Sequence, residues 1–286
     1  MVKVSVTGGK GGTGKSLVAV NLAVELSALG SKTVLADLDV ECPNDHLLLG
    51  VELEKKREVR IFKPEFDYSK CTKCGACQRS CEESAIFLVE GYPFLLPNLC
   101  SGCRTCLISC EASAISDGGK VVGHTYETEA RDDLTLVTGK LIEGEEKAYP
   151  VVVGAKDRAL SLTSDVLVVD TSPGSGNHVA FSIEGSDVAV VVTEPTPMGV
   201  HDLEITLDLL EVLDVQPIVV LNRSNIGNFR PDEKLKERGL RIFSEIPYSK
   251  RVLDSYVSGT PIVEFDKNDK FSVEISKIAE VIFNWK

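Results

Sequence analysis

Residues 2–16 read Val2-Lys3-Val4-Ser5-Val6-Thr7-Gly8-Gly9-Lys10-Gly11-Gly12-Thr13-Gly14-Lys15-Ser16. The first six alternate and are rich in valine, which suits a strand. The turn that follows contains Gly9-x4-Gly14-Lys15-Ser16, a phosphate-binding loop between a strand and a helix. From Lys15 to Gly30, apolar residues (Leu17, Val20, Leu22, Ala23, Leu26, Leu29) recur at helical spacing, and Gly30 fits a C-terminal stop. Thr33-Val34-Leu35-Ala36 is a second buried strand that ends at Asp37-Leu38-Asp39. The N-terminus is therefore a βαβ unit with its glycine turn after the first strand.

The loop composition follows from phosphate chemistry. Glycines let backbone N–H groups approach phosphate oxygens, and the helix N-terminus adds partial positive charge. Gly9, Gly11, Gly12, Thr13, Gly14, Lys15 and Ser16 are the expected nucleotide contacts. Lys15 should reach the β- and γ-phosphates, and the Ser16 hydroxyl should sit on Mg²⁺.

Strand and helix patterns recur further on. Val166–Val169 precedes Asp170, Val188–Val192 precedes Thr193-Glu194-Pro195, and Pro217–Leu221 ends at Asn222-Arg223. Helices are expected over 201–213 and 273–285, and a short last strand over 242–247. This alternation predicts an α/β fold, a mostly parallel doubly wound sheet covered on both faces. Asp170, at the end of VLVVD, has the position of a magnesium-linked Walker B carboxylate.

From about 60 to 117 the periodicity breaks down. Cys71, Cys74, Cys77 and Cys81 read C-x2-C-x2-C-x3-C, and Cys100, Cys103, Cys106 and Cys110 repeat the pattern. That is the ligand spacing of a two-cluster bacterial ferredoxin, in which the fourth cysteine of each run ligates the other cluster. One 4Fe–4S cluster is expected on Cys71, Cys74, Cys77 and Cys110, the second on Cys100, Cys103, Cys106 and Cys81. Zinc ribbons pair two C-x2-C knuckles rather than runs of three. The repeat continues beyond the ligands, with CEESAI at 81–86 against CEASAI at 110–115. Glu82 and Glu111 stand where ferredoxins carry proline after the fourth cysteine. A carboxylate there disfavours adding an electron, so low potentials are expected. Residues 61–119 thus read as a small α+β insertion near one sheet edge, and 1–60 with 120–286 as the discontinuous α/β domain.

Composition excludes several classes. The chain has 286 residues and a formal net charge of −12, which argues against nucleic-acid binding. It contains no apolar run long enough to insert in a membrane. Its start already reads as a strand rather than a leader, so a cytoplasmic location is expected. Nine cysteines in such a chain point to metal rather than disulfides. Cys42 stands apart from the repeats, and the four histidines make no ligand spacing.

The extra lysine in Gly9-Lys10-Gly11-Gly12-x-Gly14-Lys15-Ser16 resembles the deviant Walker A loop of the MinD/ParA/Mrp family, which includes the nitrogenase iron protein. The resemblance covers roughly 1–60 and 120–286. It implies ATP hydrolysis in a homodimer bridged by ATP, with Lys10 reaching the partner's phosphates. Lys10, Lys15 and Asp39 would be the catalytic residues. Asp37-Leu38-Asp39 resembles the family's D-x-D, and residues 40–44 its switch I. Asp39 would then orient or deprotonate the attacking water and stand near Mg²⁺ with Ser16 and Asp170, while Asp37 would be structural or magnesium-supporting. Residues 170–174 resemble switch II. Asn222, Arg223 and Pro247 resemble the residues around the adenine. Joined to a ferredoxin-type insert, the resemblance implies metallocofactor or iron–sulfur cluster assembly, by nucleotide-gated electron transfer or cluster delivery to an unidentified redox or acceptor protein. The alternative is a MinD-like positioning ATPase with structural clusters. The C-terminal C-x-x-C of Mrp-type carriers is absent, since no cysteine follows Cys110.

Overall fold

The structure is a computed structural model and describes residues 1–9 and 11–285. Lys10, expected to act across a dimer, lies outside the described residues. The chain divides into two units, Met1–Arg57 with His124–Lys286, and Glu58–Gly123.

The strands are β1 (Val2–Thr7), β2 (Thr33–Asp37), β3 (Arg57–Ile61), β4 (Pro64–Phe66), β5 (Ile86–Val89), β6 (Tyr92–Leu95), β7 (Ile115–Asp117), β8 (Lys120–Arg131), β9 (Leu134–Leu141), β10 (Val166–Asp170), β11 (Val188–Thr193), β12 (Gln216–Asn222) and β13 (Ile242–Ile246). The large sheet has the order β13-β12-β11-β1-β10-β2-β9-β8-β3. Its seven strands from β13 to β9 are parallel throughout. β1 lies between β10 and β11, so crossovers leave it in both directions. Parallel sheets of this kind bind ligands in the crevice outside the carboxyl ends of their strands. β2, β10 and β12 end on Asp37, Asp170 and Asn222, so three candidate residues meet at that edge.

The helix Lys15–Ala28 is apolar on nearly all sides because it is enclosed. Val18, Ala19, Leu22 and Leu26 join Phe271, Ile275, Ile278 and Ile282 of the helix Lys270–Phe283 in one core over the sheet. The last helix is thus a packing element, as its pattern implied, although Val273 and Phe283 remain exposed. Leu203, Leu207 and Leu210 cover the opposite face, packed with Val191 and Val219. Among the described residues no helix is long and apolar enough to cross a membrane.

Some boundaries differ from those expected. The helix expected over 201–213 spans Pro197–Val212. It starts earlier because the Thr196 Oγ1 accepts from the Gly199 N–H at 3.0 Å and Pro197 suits a first turn. The strand pair β8–β9 and the helix Tyr149–Leu160 fill a stretch to which the sequence pattern gave no elements.

The smaller unit is built from short pieces. β4 pairs antiparallel with β7, and β5 with β6. The two ladders repeat one register, since Phe66 pairs with Ile115 as Leu95 pairs with Ile86.

Candidate functional site

A crevice opens at the carboxyl edge of the parallel sheet. Gly11, Gly12, Gly14, Lys15 and Ser16 form one wall, Asp39 and Pro173 stand nearby, and Asn222, Arg223, Pro247 and Tyr248 form another. Gly14 has φ +96°, and a Cβ there would fall 2.5 Å from the Asn222 Nδ2, so only glycine fits. The Asn222 amide donates to the Thr13 carbonyl at 2.7 Å, and its Oδ1 accepts from the Arg223 N–H at 2.9 Å. Asn222 therefore braces the phosphate loop from β12, two strands from β1, as well as lining the crevice.

Charge is concentrated at the loop. Lys15 is only 6% exposed. Burial lowers its pKa, while Asp170 and Asp39 oppose that shift. Asp170 is fully buried, and burial raises its carboxyl to about 7 against the Ser16 hydroxyl bond and Lys15. Burial also raises Asp39, with Lys15 and the Ser172 hydroxyl pulling it back. Asp37 accepts the N–H groups of Asp39, Asn44 and Asp45 at 3.2, 3.1 and 3.2 Å. It thereby folds the 39–45 turn onto the end of β2. This geometry juxtaposes a buried ammonium, a hydroxyl and carboxylates, the set that phosphoryl transfer from a magnesium nucleotide requires.

The smaller unit places the eight repeat cysteines around two pockets. One is lined by Cys71, Cys74, Cys77 and Cys110, the other by Cys81, Cys100, Cys103 and Cys106. Each draws three cysteines from one repeat and the fourth from the other. The local backbone repeats with the same 29-residue offset. Ala76–Arg79 and Thr105–Ile108 are matching single helical turns. The Ala85 N–H donates to the Cys81 sulfur, and the Ala114 N–H to the Cys110 sulfur, each at 3.3 Å. Ser80 and Ser109, 29 residues apart, join their hydroxyls at 2.9 Å. Left-handed residues repeat also, with Lys73 and Gly75 answered by Gly102 and Arg104. Cys74 and Cys103 have lowered pKa values, the first mainly through the Ala76 N–H and the second through the Thr105 hydroxyl. Cys77 is raised by burial, and Cys106 is pushed up to about 11 by the same cause. Four free cysteines lining each pocket, with one backbone N–H donor to a sulfur in each, fit the ligand set of an all-thiolate iron–sulfur cubane.

Residues 4–262 match the family model of the CobQ/CobB/MinD/ParA nucleotide binding domain. The chain belongs to this family. It carries a nucleotide-binding ATPase domain of the MinD/ParA type. An uncharacterized protein of Methanocaldococcus jannaschii is 34% identical over 286 residues, covering 100% of this chain and 97% of the relative. An iron–sulfur cluster carrier protein of the same organism is 25% identical over 298 residues, covering 98% of this chain and 84% of the relative. Among solved structures, the septum site-determining protein MinD of Pyrococcus horikoshii, complexed with Mg-ADP, superposes with a TM-score of 0.62 at 17% identity. That match covers 98% of this chain and 95% of the other. The α/β architecture is thus MinD-like.

Two features at the carboxyl edge of the sheet escaped the sequence reading. Val252, Leu253 and Tyr256, on the helix Lys250–Ser258, line it opposite the loop. Their i, i+1, i+4 spacing was the available signal. Asp45, fully buried beside Asp37, was also missed, because an acidic residue after Asn44 reads as a surface helix start.

Proposed function

We propose that this chain is an ATP-hydrolysing, dimeric iron–sulfur protein of metallocofactor or iron–sulfur cluster assembly. The observation that carries the reading is the pair of four-cysteine pockets in a chain whose remaining unit is a MinD/ParA-type ATPase domain. Likeness to an iron–sulfur cluster carrier protein over almost the whole chain supports it.

In this reading Gly9, Gly11, Gly12, Thr13 and Gly14 present N–H groups to the phosphates, and Lys15 neutralises charge on the β- and γ-phosphates. Ser16 and Asp170 meet the magnesium ion of the nucleotide, with Asp39 beside it. Asp39 orients the attacking water and accepts its proton. Arg223 and Pro247 flank the base, and Asn222 positions the loop that holds the phosphates. Lys10 reaches the nucleotide of a second protomer, so ATP bridges a homodimer. Residues 61–119 form the ferredoxin-type insert. Cys71, Cys74, Cys77 and Cys110 hold one 4Fe–4S cluster, and Cys81, Cys100, Cys103 and Cys106 the other. When bound, the clusters would supply one-electron redox chemistry.

The test is anaerobic potentiometry of the purified protein followed by electron paramagnetic resonance, without nucleotide, with MgADP and with a non-hydrolysable MgATP analogue. Iron retained against a mild chelator is measured in the same samples. Potentials that shift with nucleotide identify gated electron transfer. Fixed potentials with nucleotide-dependent iron release identify cluster delivery. Potentials and retention that both ignore nucleotide overturn the proposal in favour of structural clusters. Lys10→Ala is expected to retain nucleotide binding and lose ATP-driven dimerisation, read by light scattering.

A further inference from the structure

Asp45 has no part in the nucleotide chemistry above. It opens the short helix Asp45–Leu48, is fully buried, and neither of its carboxylate oxygens has a hydrogen-bond partner. The Oδ1 of buried Asp170 has none either. Carboxylate oxygens of Asp37, Asp45 and Asp170 all lie within 4.8 Å of one another. The charged groups acting on Asp45 are Asp37, Asp170 and Asp39, all acidic, and with burial they raise its pKa.

The sheet register brings a fourth oxygen to this level. Asp170 pairs with Asp37, and Asp37 with Thr138, across three adjacent parallel strands. Paired residues in a parallel ladder share a face of the sheet. Thr138 is fully buried, and its Oγ1 has no partner. Both oxygens of Asp45, the Oδ1 of Asp170 and, at the same level of the sheet, the Oγ1 of Thr138 thus have no hydrogen-bond partner.

Carboxylates buried without donors or a cation are strongly disfavoured. Hard divalent cations take oxygen ligands, Mg²⁺ at about 2.1 Å in an octahedron, which sets ligand oxygens about 3 Å apart when adjacent and about 4 Å when opposite. Oxygens gathered within 4.8 Å are close to that spacing.

We propose that Asp37, Asp45 and Asp170, with the Thr138 hydroxyl on the same face, form a site for a second divalent cation, Mg²⁺ or Mn²⁺, which fills without nucleotide. It is separate from the magnesium ion that arrives with ATP. Asp170 borders both positions, accepting the Ser16 hydroxyl while its Oδ1 stays without a donor. A cation here ties Asp45 to the ends of β2 and β10. The turn between Asp37 and Asp45, which carries Asp39, is then anchored at both ends before nucleotide binds.

The test uses the tag-free, cluster-loaded full chain under anaerobic conditions, with no nucleotide. Mn²⁺ binding is measured by equilibrium dialysis and elemental analysis of manganese. Wild type is expected to hold one Mn²⁺ per protomer. Asp45→Asn and Asp45→Leu should weaken binding by about tenfold or more. Ser16→Ala removes a ligand of the nucleotide-borne ion and one hydrogen bond to Asp170, so it should weaken Mn²⁺ binding by clearly less than the Asp45 variants do. The proposal is overturned by a wild type that binds no Mn²⁺, by Asp45 variants that bind as wild type does, or by equal loss in Ser16→Ala. Should Asp45→Leu fail to fold, the wild-type stoichiometry and Asp45→Asn still decide.

Discussion

The two units of this chain are held together by different means. Met1–Arg57 with His124–Lys286 has a sheet of valines and leucines covered on both faces, with fully buried Leu22, Leu35, Leu136 and Phe271 at its centre. Glu58–Gly123 has a small buried cluster of Phe62, Ile86, Cys106 and Ile115, against which Cys77, Cys81 and Cys110 pack. A fully buried large apolar side chain contributes about 1.5–3 kcal/mol. The first unit has dozens of such buried side chains, and the second has four, Phe62, Ile86, Ile115 and Val122. Small domains with so little core depend on disulfides or metals. The eight repeat cysteines form no disulfide, and if they hold the proposed clusters, the second unit is expected to stand on those metal ligands.

The largest effect that would break this contrast is the response to iron removal. Stripping iron anaerobically with a strong chelator should open the smaller unit, with limited proteolysis cutting within 58–123. Nucleotide affinity of the larger unit should stay within about twofold, an effect under about 0.5 kcal/mol. A chain that loses both properties together would show that the units fold as one.

Next in size is Lys15→Ala. It should lower ATP turnover by about 100- to 1000-fold, the usual cost of removing one electrostatic contact to the transition state. Thermal stability and iron content should not fall with it. Loss of iron in this variant would couple the phosphate loop to the cysteine unit.

A third test probes the weak point of the larger unit. Asp170 has its carboxyl raised to about 7 by burial. Its value in the unfolded chain is near the usual 3.9. Between those values the folded state holds the extra proton, so Asp170's share of stability falls as pH rises from about 4 to about 7, by at most about 1.4 kcal/mol per pH unit, in the same direction as the shares of Asp37, Asp39 and Asp45. Without divalent cations or nucleotide, the midpoint of thermal unfolding should drop across that window. Asp170→Asn should reduce the slope of the profile, the raised carboxyls of Asp37, Asp39 and Asp45 keeping part of it.

The smallest expected effect lies between the repeats. Ser80→Ala or Ser109→Ala removes the 2.9 Å hydroxyl contact and should cost about 1 kcal/mol of the smaller unit's stability, read by hydrogen exchange at its backbone amides. The two substitutions should not be additive, since they delete one shared contact.

What the sequence disclosed depended on how local each signal was. β1, the glycine turn and the helix Lys15–Ala28 are contiguous, so residues 2–30 sufficed. The cysteine runs are local too, and the pockets gather the sulfurs in the groups their spacing implies. The helix Tyr149–Leu160 was hidden because Val151-Val152-Val153 is a β-branched run that favours strands, and tertiary burial overrides it. β8 was hidden for the opposite reason. Its Thr125 and Thr128 are buried and Glu127 is paired with Lys55 and Arg158, so residues that look solvated are enclosed by partners distant in sequence. Asp45 is the same case at the site. Nothing beside it in the chain reveals that Asp37 and Asp170 are its neighbours.

The exchange of fourth cysteines between the repeats bears on how such a unit originates. Cys81 completes the pocket of the later repeat and Cys110 that of the earlier one, so neither stretch closes its own pocket. A lone ancestral segment of this kind would have been useful only as a reciprocal pair of identical peptides. Gene duplication and fusion would then have turned a concentration-dependent partnership into a single inherited chain.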